Sequence, residues 1–217
     1  MDRDHTAPTI NISGEKVALG PLDRSIISLQ TAWINDFATT RTLGHDAQPR
    51  SLAVNEDWFE HMAASGATIA FTIYDLSDMA PVGTVNLFRI DHQHGTCTLG
   101  ISIMPPERRG RGLGTDAVRL ITDYAFNDLG MHNVQLTTLE FNIASIKAYR
   151  KVGFQEYGRR REAWLHSGRY WDLIYMDILA PEHQAARLRH PERSEESPRE
   201  AHRLQSSIPT HDCIDRQ

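Results

Sequence analysis

Cysteine is scarce in this sequence, and its two copies, Cys97 and Cys213, lie far apart. They form no C-x-x-C pair, so the sequence holds neither a disulfide framework nor a cysteine-rich metal site. No uninterrupted apolar run approaches the roughly 20 residues of a membrane-spanning helix. Residues 1–15 also lack the apolar centre of a secretory signal. These absences predict a cytoplasmic protein in a reducing compartment, with no membrane partner.

An excess of positive charge is also missing. The chain has 28 acidic residues against 23 lysines and arginines, a net charge of −5. Nucleic-acid binders usually show a basic footprint, so we expect no nucleic-acid partner. His92 and His94 lie in a short polar stretch, with His45 far away in sequence. Because no acidic or cysteine ligands accompany them, we interpret them as turn residues and expect no metal.

The hydrophobic pattern predicts one α/β domain with a mixed sheet. Apolar alternation indicates strands at residues 17–22, 67–75, 82–91, 96–104, 133–140, 154–164 and 170–179. Helical spacing predicts helices near residues 26–37, 51–65, 115–127 and 143–152, the second with Val54, Trp58, Phe59 and Met62 inward. Residues 39–50 are interpreted as a mobile loop. The predicted order is β-α-α-β-β-β-α-β-α-β-β.

Composition predicts the limits of this domain. Residues 1–15 are polar and are expected to be flexible, and residues 16–180 carry the apolar pattern of a packed core. From residue 181 onward large apolar side chains nearly vanish, so the tail at residues 181–217 cannot bury enough surface to offset its ordering entropy. We therefore expect a disordered tail, although residues 185–189 are compatible with one helical turn.

A glycine-rich cationic turn stands at the centre of the chain. Pro105 and Pro106 end the strand at residues 96–104, and the sequence RRGRGLGT follows at residues 108–115, directly before a helix. Glycines let backbone approach an anion, and the first N–H groups of a helix have no internal partner. The pattern is neither a P-loop, which needs a terminal Lys-Ser/Thr pair, nor the dinucleotide motif G-x-G-x-x-G. It predicts an anion site, and a plain helix start beside a solvated loop is the alternative.

Two segments resemble one known family. Arg109-x-x-Gly112-x-Gly114 is similar to the pyrophosphate loop of the GNAT superfamily of N-acetyltransferases, and residues 142–154 match its segment N-x-x-A/S-x-x-x-Y-x-K-x-G-F at every position. The resemblance covers residues 17–179, most closely the branch holding spermidine and ribosomal-protein N-acetyltransferases. It implies a mostly antiparallel sheet flanked by helices, with a V-shaped strand opening that holds acyl-CoA.

The resemblance also implies a reaction. Acetyl-CoA would donate an acetyl group to a primary amine by direct attack, the acceptor being a small molecule (a polyamine, amino sugar or aminoglycoside) or a protein N-terminus. Tyr149 matches the general acid that protonates the departing thiolate. Residues expected at the cofactor are Ile101, Ile103, Met104, Arg109, Gly110, Arg111, Gly112, Leu113, Gly114, Thr115, Asn142 and Ser145, with the first three offering backbone groups to the pantetheine arm.

The general base is less well marked. Many related sequences have Glu where this chain has Thr98, so Glu140 at the end of the next strand is the first candidate. Glu56, Asp57 and Glu60 are candidates for binding a cationic acceptor, and all four carboxylates also fit a solvated surface.

Several of these residues also fit purely structural positions. Tyr149 could occupy a core position, and Asn142 could act as a helix cap. Arg108 and Arg111 could be solvated charges or could contact the CoA phosphates. At the level of function, the alternative is a non-catalytic acyl-CoA-binding module on the same fold. A homodimer is compatible with the sequence.

Overall fold

The structure is a computed structural model that describes residues 7–40, 48–64 and 67–189. Within these residues the strands are β1 (Ile12–Ser13), β2 (Val17–Pro21), β3 (Ile69–Asp75), β4 (Ala80–Asp91), β5 (Thr96–Ile103), β6 (Asn133–Leu139), β7 (Gln155–His166) and β8 (Arg169–Leu179). The α-helices are α1 (Ile27–Asn35), α2 (Phe37–Thr40), α3 (Leu52–Ala64), α4 (Leu113–Asn127), α5 (Ile143–Val152) and α6 (Ala180–Arg189). Short 3₁₀ turns at Arg24–Ile26 and Pro106–Arg108 precede α1 and α4.

All of these strands belong to one sheet, in the order β1-β2-β3-β4-β5-β6-β8-β7. Each neighbouring pair is antiparallel except β5 and β6, which are parallel. The helix α4 makes the crossover that a parallel pair requires. The predicted mixed, mostly antiparallel sheet flanked by helices is therefore confirmed.

The core lies between the sheet and α4, which contacts β2, β4 and β5. Ala117, Val118, Ile121 and Ala125 recur at helical spacing, and each is at most 1% exposed. Asp116, in the first turn, accepts hydrogen bonds from the backbone N–H groups of Lys16 at 2.8 Å and Val17 at 3.1 Å. This carboxylate therefore ties the start of α4 to the start of β2.

Ordered structure extends beyond both predicted domain limits. Residues 1–15 were expected to be flexible, but β1 pairs with β2 inside that range. The tail was expected to be disordered from residue 181, but α6 continues to Arg189. Its His183 is 5% exposed and places Nε2 2.6 Å from Asp123 Oδ1 of α4. The tail was predicted to be disordered because it has few large apolar residues, but this polar contact packs α6 against α4. Residues 190–217 lie outside the described part of the chain.

The inner face of the second predicted helix is confirmed only in part. Phe59 is buried as predicted, but Val54, also expected on the inner face, is 53% exposed, and Asn55 is buried instead. Asn55 is accommodated because its Nδ2 donates to the Thr31 hydroxyl of α1 at 2.9 Å. The predicted loop at residues 39–50 lies largely outside the described residues, as does His45. No helix in the described ranges is both long and apolar enough to cross a membrane.

Candidate active site

The strands β5 and β6 separate partway along their length. They pair only at Thr96 with Asn133, Cys97 with Val134 and Thr98 with Gln135. Beyond that point β5 continues along β4 to Ile103, and β6 continues along β8 to Leu139. The sheet therefore has the V-shaped opening that was predicted, and one edge of β5 faces it.

Alternation along β5 decides which backbone groups face the opening. Met104 N–H donates to Val82 O of β4 at 3.0 Å. In an antiparallel ladder successive residues turn their N–H and C=O to opposite sides, so Ile103 and Ile101 turn theirs toward the opening. Ile103 O accordingly accepts from Arg109 Nε, outside the β4 ladder, at 3.0 Å.

Met104 corrects one sequence-based expectation. It was expected to offer backbone to a pantetheine arm, but its N–H is used by Val82, and its carbonyl accepts from Arg109 Nη2 at 2.9 Å. Both groups are thus occupied. Ile101 and Ile103 remain as the residues whose backbone borders the opening.

The glycine loop, residues 109–114, carries two left-handed residues. Gly110 has φ +72° and Gly112 has φ +88°, a conformation that costs other residues about 1–2 kcal/mol. Gly112 is the N-cap of α4 and gives no side-chain cap. The N–H groups of Leu113, Gly114 and Thr115 are therefore the uncapped donors at the start of α4. The positive end of the helix dipole adds to their attraction for an anion.

The three arginines around this loop are engaged by protein groups. Arg109 donates to the carbonyls of Ile103 and Met104, and burial lowers the pKa of its guanidinium. Arg108 bonds Asp75 Oδ2 at 2.8 Å and Asp78 Oδ2 at 2.6 Å, and Arg111 bonds Asp75 Oδ2 at 3.0 Å. Arg108 and Arg111 are therefore neither simply solvated nor unpaired. Their partners lie on or just after β3, and no local sequence pattern places that strand beside the loop.

Asp75 is the common partner of two of these arginines. Its side chain is nearly buried, and burial raises the pKa of its carboxyl. Hydrogen bonds from the hydroxyl and N–H of Ser77 and from Arg108 outweigh burial, so the net pKa is lower than usual. The charged carboxylate thus fixes the outer side of the loop to the end of β3.

Three lysines missed by the sequence analysis surround the loop. Lys16 Nζ donates to Arg111 O at 3.0 Å, next to Gly112. Lys147 and Lys151 lie one turn apart on α5 and line the cavity beside the loop. No ion-pair partner for either appears among the described residues. Their i,i+4 spacing within the matched segment was the signal that could have identified them.

The helix α5 begins and ends as its sequence predicted. Asn142 is the N-cap, its side-chain oxygen accepting from Ser145 N–H at 3.2 Å, and Gly153 ends the helix with φ +115°. Tyr149 lies on the buried face and is 7% exposed. Burial raises the pKa of its phenol to about 12, against a smaller lowering by a hydrogen bond with Ser145. The phenol is therefore fully protonated at neutral pH.

Two cavities meet at Tyr149. The loop-side cavity, about 300 Å³, lies between the glycine loop, the end of β5 and α5. The sheet-side cavity, about 500 Å³, lies between β4, β5, β6 and the helices α1 and α3. Both are lined by Ile101, Asn142, Ser145 and Tyr149. Tyr149 therefore borders both cavities.

The sheet-side cavity has neutral walls apart from one cation. Hydroxyls and amides come from Thr84, Asn86, Thr98, Ser102, Thr137, Thr138 and Gln30, and aromatic rings from Trp58, Phe88 and Trp164. Arg50 is the one charged side chain among the described lining residues. No carboxylate and no imidazole in the described ranges lines this cavity.

A family model decides the family. The model for the GNAT acetyltransferase domain matches residues 19–155, more than half of the chain. This protein belongs to the GNAT acetyltransferase family. The match runs from within β2 through α5 and therefore includes β5, β6, the glycine loop and Tyr149.

Curated relatives match about half of this chain. The chain is 33% identical over 113 residues to the probable N-acetyltransferase YjcK of Bacillus subtilis, covering 52% of this chain and 62% of that protein. It is 33% identical over 108 residues to the spermidine N(1)-acetyltransferase of Escherichia coli K12, covering 50% of this chain and 58% of that one. The chain thus spans about three fifths of the length of these relatives.

Solved structures share the GNAT fold. The spermidine N-acetyltransferase of Vibrio cholerae, crystallised with CoA and spermine, superposes with a TM-score of 0.71 at 24% identity. The superposition covers 77% of this chain and 98% of that chain. At this identity the similarity establishes the fold alone.

The expected base does not lie in the GNAT site of this chain. Glu140 was the first candidate, but its Oε1 bonds Arg159 Nη1 at 2.9 Å and its carboxylate lines neither cavity. The side chain turns toward β7 and β8 because Asp172 and Arg159 hold it there. Thr98 does line the sheet-side cavity, and its hydroxyl lies 3.4 Å from Gln135 Nε2.

The remaining expected acceptor residues also lie elsewhere. Glu60 forms an ion pair with Arg24, and none of Glu56, Asp57 and Glu60 lines either cavity. In contrast, most residues that were expected at the cofactor do lie together. The loop-side cavity is lined by ten of them: Ile101, Ile103, Arg109, Gly110, Gly112, Leu113, Gly114, Thr115, Asn142 and Ser145. Arg111 stands beside it and pairs with Asp75.

Proposed function

We propose that this protein is an acetyl-CoA-dependent N-acetyltransferase that acylates a primary amine of a small molecule or of a peptide N-terminus. The observation that carries the proposal is the placement of Tyr149 where the two cavities meet, inside the opening between β5 and β6. One cavity supplies an anion site for the donor, and the other has room for an acceptor. The cytoplasmic location and the homodimer stay predictions.

The loop-side cavity fits the phosphate end of a CoA thioester. The N–H groups of Leu113, Gly114 and Thr115 are oriented for a pyrophosphate at the N-terminus of α4. Lys147 and Lys151 line the same cavity and provide positive charge that the loop arginines, already bonded to protein groups, do not. Arg109 acts on the protein itself, by holding the loop against the end of β5.

The backbone of β5 fits the extended arm of the donor. Ile101 turns its N–H and C=O into the opening, and Ile103 turns its N–H there, since the Ile103 carbonyl already accepts from Arg109. An extended chain could pair with these groups as a neighbouring strand would. An N–H from this edge is also a suitable donor to the oxygen that becomes negative when an amine attacks a thioester. The developing charge would then meet a fixed dipole rather than mobile water.

Tyr149 is assigned the acid role. When the C–S bond breaks, the electron pair leaves with sulfur, and the phenol O–H protonates that thiolate. The raised pKa of Tyr149 ensures that the proton is present at neutral pH. It also makes the phenol a weak acid, so its effect depends on being adjacent to the sulfur in a cavity that excludes water.

The acceptor amine must lose its proton before it attacks. Alkylammonium groups have pKa values near 10, and the described lining of the sheet-side cavity offers hydroxyl and amide groups but no base. We therefore propose that the small free-amine fraction binds, and that the proton released after attack leaves through neutral hydroxyls and water. A non-catalytic acyl-CoA-binding module is the second candidate, favoured by the same lack of a base among the described lining residues.

Thiol release tests the proposal. The full chain is incubated with acetyl-CoA and primary amines, and free CoA thiol is followed while mass spectrometry identifies the acetylated product. The panel includes polyamines, aminoglycosides, amino sugars, amino acids and peptides with a free N-terminus. We expect amine-dependent turnover. Stabilisation of the protein by CoA without turnover on any amine would instead support the binding module.

A further inference from the structure

Arg50 gives the sheet-side cavity its only positive charge among the described lining residues. It follows the undescribed residues 41–47, and its backbone is fixed to the end of α1. Arg50 N–H donates to Asn35 Oδ1 at 2.9 Å, and Asn35 Nδ2 donates back to Arg50 O at 2.8 Å. Asn35 Nδ2 also donates to Thr31 O inside α1. The position of Arg50 at the cavity is therefore set by a side chain that is itself held on a helix.

The guanidinium of Arg50 differs from those of Arg108 and Arg111 in having no carboxylate partner in the described part of the chain. Arg108 and Arg111 share Asp75, Arg24 pairs with Glu60, and Arg119 pairs with Asp116. Arg50 forms no such ion pair with any residue that the structure describes. Arg50 is partly buried and lines the cavity, and it lacks a carboxylate partner among the described residues. Its guanidinium is therefore available to a ligand anion, since its planar donors match a carboxylate.

The rest of the cavity disfavours a second ammonium. A polyamine would place additional positive charges among neutral hydroxyls and aromatic rings, close to Arg50 and without a carboxylate from the described residues. Burying unpaired ammonium groups is costly, and a nearby like charge adds to the cost. An anionic group avoids both penalties.

The location of Arg50 separates the two ends of the acceptor. Arg50 lines the sheet-side cavity but is not among the residues shared with the loop-side cavity, whereas Tyr149 is. Trp58, Phe88 and Trp164 line the same sheet-side cavity and suit an apolar spacer. On this basis, and resting on the proposed function, we infer that the acceptor is an amine that also carries a carboxylate, with the amine near Tyr149 and the carboxylate on Arg50.

Matched acceptors test this inference. The members of a set have the same carbon chain and an amine at one end, and they differ at the other end, which is a carboxylate, a carboxamide or an ammonium. One set is 6-aminohexanoate, 6-aminohexanamide and 1,6-diaminohexane. Shorter chains give further sets. We expect kcat/KM to be at least about tenfold higher for the carboxylate than for the amide in the preferred length, and lowest for the diamine.

Variants locate the effect. Arg50→Gln should reduce the carboxylate-to-carboxamide ratio of kcat/KM about tenfold, and Arg50→Lys should restore only part of it because the planar fork is lost. Arg24→Gln is the matched control, since it removes an arginine whose partner Glu60 lies outside both cavities, and the ratio should stay as in the unmodified protein. An equal loss on all three acceptor types would overturn the inference.

Calorimetry with CoA present separates this inference from the proposed function. Carboxylate-dependent binding of the amino acid that Arg50→Gln abolishes, without any turnover, would support the anion site and contradict the acetyltransferase. Turnover with no preference for the carboxylate would contradict the anion site and leave the acetyltransferase supported. Neither binding nor turnover with any member of the sets would contradict the anion site, and turnover on another amine of the wider panel would still support the acetyltransferase.

Discussion

Arg109 Nε donates to the carbonyl of Ile103 at 3.0 Å, so the glycine loop and the free edge of β5 are held together by one side chain. A second hydrogen bond runs from Nη2 to Met104 O at 2.9 Å. Arg109, at the start of the loop motif, therefore has a positioning role. It sets the distance between the proposed anion site and the strand edge that would bind the extended arm of the donor.

Substitution of Arg109 tests whether its role is geometry or charge. Arg109→Lys keeps the charge but cannot make both bonds, so we expect it to weaken CoA binding about tenfold, nearly as much as Arg109→Gln. Calorimetric titration with CoA gives the dissociation constants. If Arg109→Lys bound CoA as the unmodified protein does while Arg109→Gln did not, direct attraction to phosphate would be the better explanation.

Gly112 should be required for its left-handed backbone. Gly112→Ala forces alanine to φ +88° at a cost of about 1–2 kcal/mol and places a Cβ 2.9 Å from Lys16 Nζ. We expect CoA binding to weaken at least about tenfold because the first N–H groups of α4 shift. The control is Gly168→Ala at φ +75° in the turn between β7 and β8, with open space around the added Cβ.

The control separates strain from binding. Both variants should lower Tm by about 2–8 °C, since both carry the same backbone penalty. Only Gly112→Ala should lose affinity. Equal affinities in the two variants, measured below their transitions, would show that the loop conformation does not matter to the anion.

Asp75 should contribute stability that depends on pH. Its pKa is lower in the folded chain than the ordinary value near 3.9, so its contribution is fully present above about pH 4 and is lost as pH falls through the folded value. Asp75→Asn should lower Tm by about 3 °C or more at pH 7, and the difference from the unmodified protein should shrink below about pH 4.

Asp78→Asn is the comparison for Asp75. Asp78 also bonds Arg108, but its side chain is 45% exposed against 3% for Asp75. Exposed ion pairs contribute little, so the Tm of Asp78→Asn should change by less than that of Asp75→Asn. A larger drop in Tm for Asp78→Asn than for Asp75→Asn would contradict the prediction that the buried Asp75 is the carboxylate that stabilises the loop.

Tyr149→Phe should separate catalysis from binding. The ring keeps its packing beside Phe154, with centroids 6.0 Å apart, but the proton for the thiolate is lost. We expect kcat to fall about 10²-fold or more while the CoA dissociation constant changes less than about twofold. Steady-state thiol release and calorimetry measure the two quantities, and an unchanged kcat would exclude the phenol as the acid.

The same variant should change stability at alkaline pH. The phenol pKa is about 12 in the folded chain against an ordinary value of 10.0, so the folded state holds this proton more tightly. This contribution is complete below pH 10 and is lost as pH rises toward 12, amounting to about 3 kcal/mol at 1.36 kcal/mol per unit. Chemical unfolding of Tyr149→Phe should show a correspondingly smaller loss of stability over this range.

The pH–rate profile should follow the acceptor. With no base among the described residues lining the sheet-side cavity, log kcat/KM for the amine should rise with pH up to the amine's own pKa. The break should move when an amine of lower pKa is used, and Glu140→Gln should leave the profile in place. A break fixed at about pH 6–8 for every amine would reveal an enzyme base.

Local sequence patterns predicted the parts of the site that are formed by nearby residues. Pro105, Pro106, Gly110 and Gly112 carry their own backbone preferences, so the end of β5, the loop and the start of α4 could be predicted directly. Asn142 and Gly153 likewise marked both ends of α5, and a core position was one of the two interpretations that the sequence allowed for Tyr149. These features depend on contacts within one or two helical turns.

Side-chain partners over long separations could not be predicted in the same way. Arg108 and Arg111 meet Asp75 across 33 and 36 positions, and Glu140 meets Arg159 across 19. Nothing in the local pattern distinguished a carboxylate that binds an acceptor from one that pairs with an arginine. The order in α6 was missed for the same reason, because His183 is buried only by virtue of Asp123 and Phe126 of α4.

The sequence by itself therefore determined a glycine-rich loop directly before a helix, a capped helix carrying Tyr149, and a mixed sheet to hold them. Only the tertiary structure decided which charges remain available to ligands: Lys147, Lys151 and Arg50 face the cavities, while the loop arginines and Glu140 are held by protein groups. The physical reason is that backbone conformation is governed by neighbours in sequence. Charge pairing is governed by which side chains the fold brings within hydrogen-bonding distance.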